Sequence, residues 1–168
     1  VGKVNLDVSN SATVSTYNEN VDIDLIGATN GKYIEIISST TKNVVIKSPT
    51  SIKGFNDDPF SIIVPENVEN VILQELILTS YGKIEATNNK QQIVIEVKNL
   101  TTELNSSPTL THMNVNGPFN IIQSSSVKLE ENVTLNDADI KYQIDLMNSS
   151  SKPIFNGNTS TYPKTISI

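Results

Sequence analysis

Apolar residues in this chain come in short alternating runs, separated by breaks rich in Asn, Ser, Gly and Pro, and the runs recur at a nearly regular spacing. The clearest stretch is ENVENVILQELILTS, Glu66 to Ser80, in which Asn70 opens the run NVIL. Asn43 opens NVVI, Gln92 precedes IVIEV, Asn114 opens NVN and Asn132 opens NVTL, so the successive steps from Asn43 are 27, 22, 22 and 18 residues. A hairpin returns within a few residues. A chain that comes back to the same short strand every twenty-odd residues is a coil whose strands stack in parallel. The pattern predicts an all-β fold, a β-solenoid of short strands with roughly 20–25 residues per rung.

The rest of the chain reads in the same terms. Val4, Leu6 and Val8 alternate with polar neighbours as a half-buried strand before a Ser/Asn turn. Between Asn43 and Asn99 the runs are NVVIKS, SIKGF, FSIIV, NVILQELILTS, KIEA and QIVIEVKN, with Pro49, Pro59 and Pro65 in the breaks, where a missing amide harms no ladder. LTTELNSSPTLTHMNV reads as strand and loop, and the runs return as FNIIQ, SVKLE, NVTLNDADI, KYQIDLM, PIFNG and KTISI. Asn30-Gly31, Asn116-Gly117 and Asn156-Gly157 are hairpin signals and favour the alternative architecture, a β-sandwich. In a solenoid the same pairs serve sharp corners.

Period-two alternation assigns the faces. Val44, Ile46, Val71, Leu73, Leu76, Leu78, Ile93, Ile95, Val133 and Leu135 are expected to point inward. Val45, Ile72 and Val94 then point outward and, stacked about 4.8 Å apart, form an aliphatic ridge that a loop, the N-terminal segment, a neighbouring domain or a second copy would cover.

Composition supports strands. Ile and Val abound while Ala occurs only at positions 12, 28, 86 and 138, and Asn, Ser and Thr make up about a third of the 168 residues. Residues 1–168 read as a single domain, and the chain looks like a processed or cut-out piece of a larger protein. The net charge of -6 and the lack of any arginine disfavour nucleic acid as a partner, since phosphate recognition needs clustered cations. Without cysteine there is no disulfide, thiolate nucleophile or thiolate metal site. No apolar run is long enough to cross a membrane as a helix, so membrane insertion is not expected.

ENVENVILQELILTS and EENVTLNDADI resemble the rungs of right-handed parallel β-helix proteins of the pectate-lyase-like superfamily, in which an Asn at a turn precedes a V-x-I or V-x-L strand. They look most like the adhesive domains of that type in surface proteins of Gram-positive bacteria. The resemblance spans roughly residues 40 to 140 and implies that an Asn at the same corner of successive rungs stacks its amide on the next. It also implies a secreted or cell-wall-attached, surface-exposed protein. Enzymes of the superfamily include lyases with an arginine base and calcium-binding carboxylates, and hydrolases with Asn-Thr-Asp, Asp-Asp and Gly-His-Gly elements. Neither set is complete here: arginine is missing, and the single histidine, His112, sits in Thr-His-Met.

The residues themselves carry little chemistry. Asp57 and Asp58 follow Asn56 in a Gly/Pro-bounded loop, where a solvated turn competes with a paired-carboxylate site. Asp22/Asp24 and Asp137/Asp139 share a strand face, but exposed charge explains them better than calcium. His112 alone forms neither triad nor zinc site. The Asn-x-Ser/Thr sites match chance for this composition, and Tyr162-Pro163-Lys164 is only a fragment of a pilin motif. Of the aromatic residues, Phe60 is assigned to the core and Tyr33 to the surface. Phe55 and Tyr81, with Asn56, Asp57 and Asp58, form the candidate ligand-binding set. The expectation is a non-catalytic adhesin or stalk that binds a host or matrix glycan or protein and needs no cofactor or metal. A β-sandwich pilin module and a polysaccharide-cleaving enzyme are the alternatives.

Overall fold

The structure is a computed structural model and describes residues 2–7, 11–26, 28–29, 33–47, 50–52, 59–79, 82–89, 91–103, 108–122, 127–130, 132–135, 139–143, 155–157 and 166–167. The strands stack as the faces of a three-sided coil. The first face is a seven-stranded sheet of β1 (Gly2–Asp7), β3 (Asn20–Ile26), β6 (Asn43–Ile46), β9 (Asn70–Leu73), β13 (Ile95–Val97), β16 (Met113–Val115) and β19 (Val133–Thr134). The second, also seven-stranded, holds β4 (Ala28–Thr29), β7 (Thr50–Ile52), β10 (Leu76–Leu78), β14 (Leu100–Thr102), β17 (Pro118–Ile122), β20 (Asp139–Gln143) and β22 (Ile166–Ser167).

The third face is split. β2 (Ala12–Ser15), β5 (Tyr33–Ile37), β8 (Phe60–Ile63) and β11 (Ile84–Asn88) form one sheet, and β15 (Thr109–Leu110), β18 (Val127–Leu129) and β21 (Phe155–Gly157) form another. Between them β12 (Gln91–Ile93) folds back antiparallel on β11, pairing Ile93 with Ala86. Every other pairing among the described strands is parallel, as a coil that always returns in the same direction requires. This rules out the β-sandwich. Asn116-Gly117 is a corner between β16 and β17, and Asn156-Gly157 lies in a strand parallel to β18. Asn30-Gly31 lies outside the described residues.

The alternation expected from the sequence sets the core. Val21, Val44, Val71, Ile95 and Met113 occupy one register and are all buried. Ile23, Ile46, Leu73 and Val97 form the next inward column. Leu76, Leu78, Val133 and Leu135 are buried as the alternation requires. Ile93 is not, and its expected inward place is corrected. The run QIVIEV, which reads as one strand, is two elements, with Ile93 half-buried in the antiparallel β12 and Ile95 opening β13.

The register differs from the sequence repeat at the same point. Beneath Asn70 come Val94, His112 and Asn132, one position before Ile95, Met113 and Val133, in place of Gln92 and Asn114. The rung length follows the width of the corner leading into the first face. Residues 38–42 and 64–69 make wide corners, whereas only Thr111 and His112 join β15 to β16. So short a connection needs left-handed backbone: His112 has φ 47° and Asn132, at the following corner, φ 57°.

The wide corners are held by side chains. Asn43 Nδ2 donates to Asn20 Oδ1 at 2.6 Å, and Asn70 Nδ2 donates to Asn43 Oδ1 at 2.8 Å. This is the amide ladder implied by the resemblance, carried over three rungs. It ends at Val94, whose side chain has no amide. Thr41 Oγ1 donates to the Asn18 carbonyl at 2.7 Å and Asn67 Nδ2 to the Thr41 carbonyl at 2.7 Å, which ties each corner to the one before it.

Candidate functional site

Phe55, Asn56, Asp57, Asp58 and Tyr81 lie outside the described residues, as does Asp137. Phe60 is fully buried and Tyr33 is exposed, the places their sequence context suggests. His112 is a corner residue whose Nδ1 lies 2.8 Å from Thr111 Oγ1, so its left-handed backbone accounts for its position. Asp22 and Asp24 flank buried Ile23 on the outer side of β3, and Lys47 Nζ sits 2.9 Å from Asp22 Oδ2. Among the described residues no three His, Cys, Asp or Glu side chains group as metal ligands.

The expected ridge is shorter than the sequence suggests. Val45 and Ile72 are neighbours in register on the outer face and both are half-buried. The next rung places Glu96 beside Ile72, followed by Asn114 and Thr134. Val94 points outward and is 48 % exposed, but it stands one column away, under Asn70. The two-residue displacement of the repeat is the cause.

A different surface is concave. Where the third face meets the wide corners, a groove of about 650 Å³ crosses four successive rungs. Ser15, Thr16 and Tyr17 line it from the first, Glu35 to Ser39 from the second, Ile63 to Pro65 from the third and Asn89 from the fourth. The ladder sets this order, pairing Thr13 with Glu35, Glu35 with Ile63 and Ile63 with Thr87. Alternation puts Ile36 and Val64 in the core and leaves Ile37 and Ile63 on the outer side.

Tyr17 stands on the rim, 88 % exposed, and Ile37 is 51 % exposed. The backbone beneath Tyr17 is fixed from both sides. Thr40 Oγ1 donates to its carbonyl at 2.6 Å, and Thr16 Oγ1 accepts from Asn18 N at 3.1 Å and from Asn18 Nδ2 at 3.2 Å. Ser38 Oγ accepts from the amides of Thr40 and Thr41, which closes the facing turn. Asn89, at φ 40° in the turn after β11, donates through Nδ2 to Glu66 Oε1. Tyr17 is not among the candidates read from the sequence. Its signal is an aromatic in SATVSTYNEN, beyond the last alternating apolar position, where packing does not call for one.

No protein family, curated protein or solved structure matches this chain. The β-solenoid therefore stands on strand pairing and burial alone.

Proposed function

We propose that this chain is a non-catalytic β-solenoid domain of a secreted or wall-attached bacterial surface protein, acting as an adhesin or stalk for a glycan or an extracellular protein. The observation that carries the proposal is the groove, with an exposed tyrosine on a hydrogen-bonded backbone beside an aliphatic floor on a stack of interlocked rungs. A stacked coil transmits position from rung to rung, which suits both a spacer and an extended recognition surface. Kinship with the right-handed pectate-lyase-like adhesive domains is part of the same proposal and rests on the Asn ladder. The net charge of -6 supports a partner other than nucleic acid.

A non-catalytic role is supported by the groove's lining. Glu35 is the one carboxylate among its described lining residues, and glycoside cleavage by paired carboxylates needs a second across the bond. The test is solid-phase binding of the whole chain to arrays of glycans and matrix proteins. Saturable binding to at least one, with no product released from pectin or other acidic polysaccharides, is expected. Failure to bind any of them, or turnover abolished by Asp57→Asn or Asp58→Asn, rejects the proposal.

A further inference from the structure

We infer that the groove beside Tyr17 binds an extended, uncharged polysaccharide lying along the solenoid axis, one sugar to a rung. This rests on the surface-binding function proposed above and names the ligand class of the same groove. The first warrant is dimensional. Adjacent strands lie about 4.8 Å apart, close to the length that one pyranose ring adds to an extended chain. The groove takes its lining from four successive rungs, so sugar and rung stay in step along it. An extended peptide does not, because its same-side residues recur at roughly twice the 3.3 Å strand rise.

The second warrant is chemical. Tyr17 and Ile37 offer an exposed ring and an exposed aliphatic side chain, which suit the apolar faces of sugar rings. Ser15, Ser39 and the Glu35 carboxylate line the groove with no side-chain partner among the described residues, and they match the hydroxyls at a ring's edge. No lysine is among the lining residues, and Glu66 stands behind Asn89, so a uronic acid would meet like charge. Because hydrogen bonds already fix the backbone at Tyr17 and close the turn at Ser38, binding has only exposed side chains left to order.

The test is calorimetric titration of the whole chain with cello-, xylo- and fully N-acetylated chito-oligosaccharides of two to six units, and with oligogalacturonate of matching length. At least one uncharged series is expected to bind, with affinity rising up to four units and then levelling. Tyr17→Ala should weaken that binding about tenfold with an unchanged melting curve, since the side chain is almost wholly exposed. Oligogalacturonate should not compete. Absence of binding by every uncharged series, indifference to Tyr17→Ala, or preference for galacturonate overturns the inference. Binding to a matrix protein that survives Tyr17→Ala, with no oligosaccharide bound, defeats the inference and leaves the surface-binding function standing. Loss of both kinds of binding defeats both.

Discussion

Asn43 is the middle rung of the amide ladder, and replacing it separates side-chain stacking from backbone pairing. Its Nδ2 donates to Asn20 Oδ1 at 2.6 Å and its Oδ1 accepts from Asn70 Nδ2 at 2.8 Å, so Asn43→Ala removes two amide bonds at once. Each net bond contributes about 0.5–1.5 kcal/mol, and partial exposure of this column favours the lower half of that range. Asn43→Ala should cost about 1–2 kcal/mol, and Asn20→Ala about half as much because it removes one bond. For a chain of this size, 1 kcal/mol shifts the melting midpoint by roughly 2–4 °C. Urea melts of the two single variants and the double variant give the answer, with the slope m unchanged. In the Asn43→Ala background, Asn20→Ala should cost almost nothing, since its donor has gone. Equal costs for Asn20→Ala in both backgrounds would refute the ladder as a source of stability, whatever the distances.

Four further outcomes follow from the same packing. Val94→Asn restores an amide beneath Asn70 and should raise stability by roughly 0.5 kcal/mol in the same melts. Leu73→Ala empties a fully buried site between Ile46 and Val97 and should cost about 2–5 kcal/mol, and a loss under roughly 0.5 kcal/mol would contradict its inward place. Thr102 is buried between Leu78 and Ile121 with an unpaired Oγ1, so Thr102→Val should stabilise by about 1 kcal/mol, and destabilisation would reveal a partner for the hydroxyl. Gly117 has φ 156° and lies where a Cβ would collide with the Lys98 carbonyl oxygen; Gly117→Ala should therefore lower stability by more than about 1 kcal/mol, as read from the denaturation midpoint.

Much of the fold was legible because burial follows the period of two so closely. NVVI and NVIL declare both their inward residues and their register, since each begins with the same Asn at the same corner. The signal failed where one aliphatic run served two elements. In QQIVIEV nothing marks the break between β12 and β13, because the preceding hairpin turns at Asn89 with no glycine. The next corner was hidden too. His112 holds a left-handed conformation for which Asn or Gly is the usual marker, whereas Asn114, read as the corner, sits mid-strand in β16. The candidate site was less legible than the core. Its floor is built from Ile37 and Ile63, residues that alternation assigns to the outside and that sequence alone cannot bring together. Tyr17 joins them only because two corners stack.

Corner width connects these observations. Where the return to the first face is long, as at residues 38–42 and 64–69, the chain has room for turns stitched by Ser38, Thr40, Thr41 and Asn67 and for an amide ladder alongside. The groove opens at those corners. Where the return shrinks to Thr111 and His112, the backbone turns through positive φ and there is no space for such a network. Core columns run through both halves with the same aliphatic pattern, so the rungs differ by what is inserted between strands and not by the strands. β12 stands at the change between the two regimes. By covering the edge of β11 it ends the first half of the third face, and with it the series of corners on which the Tyr17 groove is built. The lengths of the corners, more than the composition of the rungs, determine where the surface of this solenoid is concave.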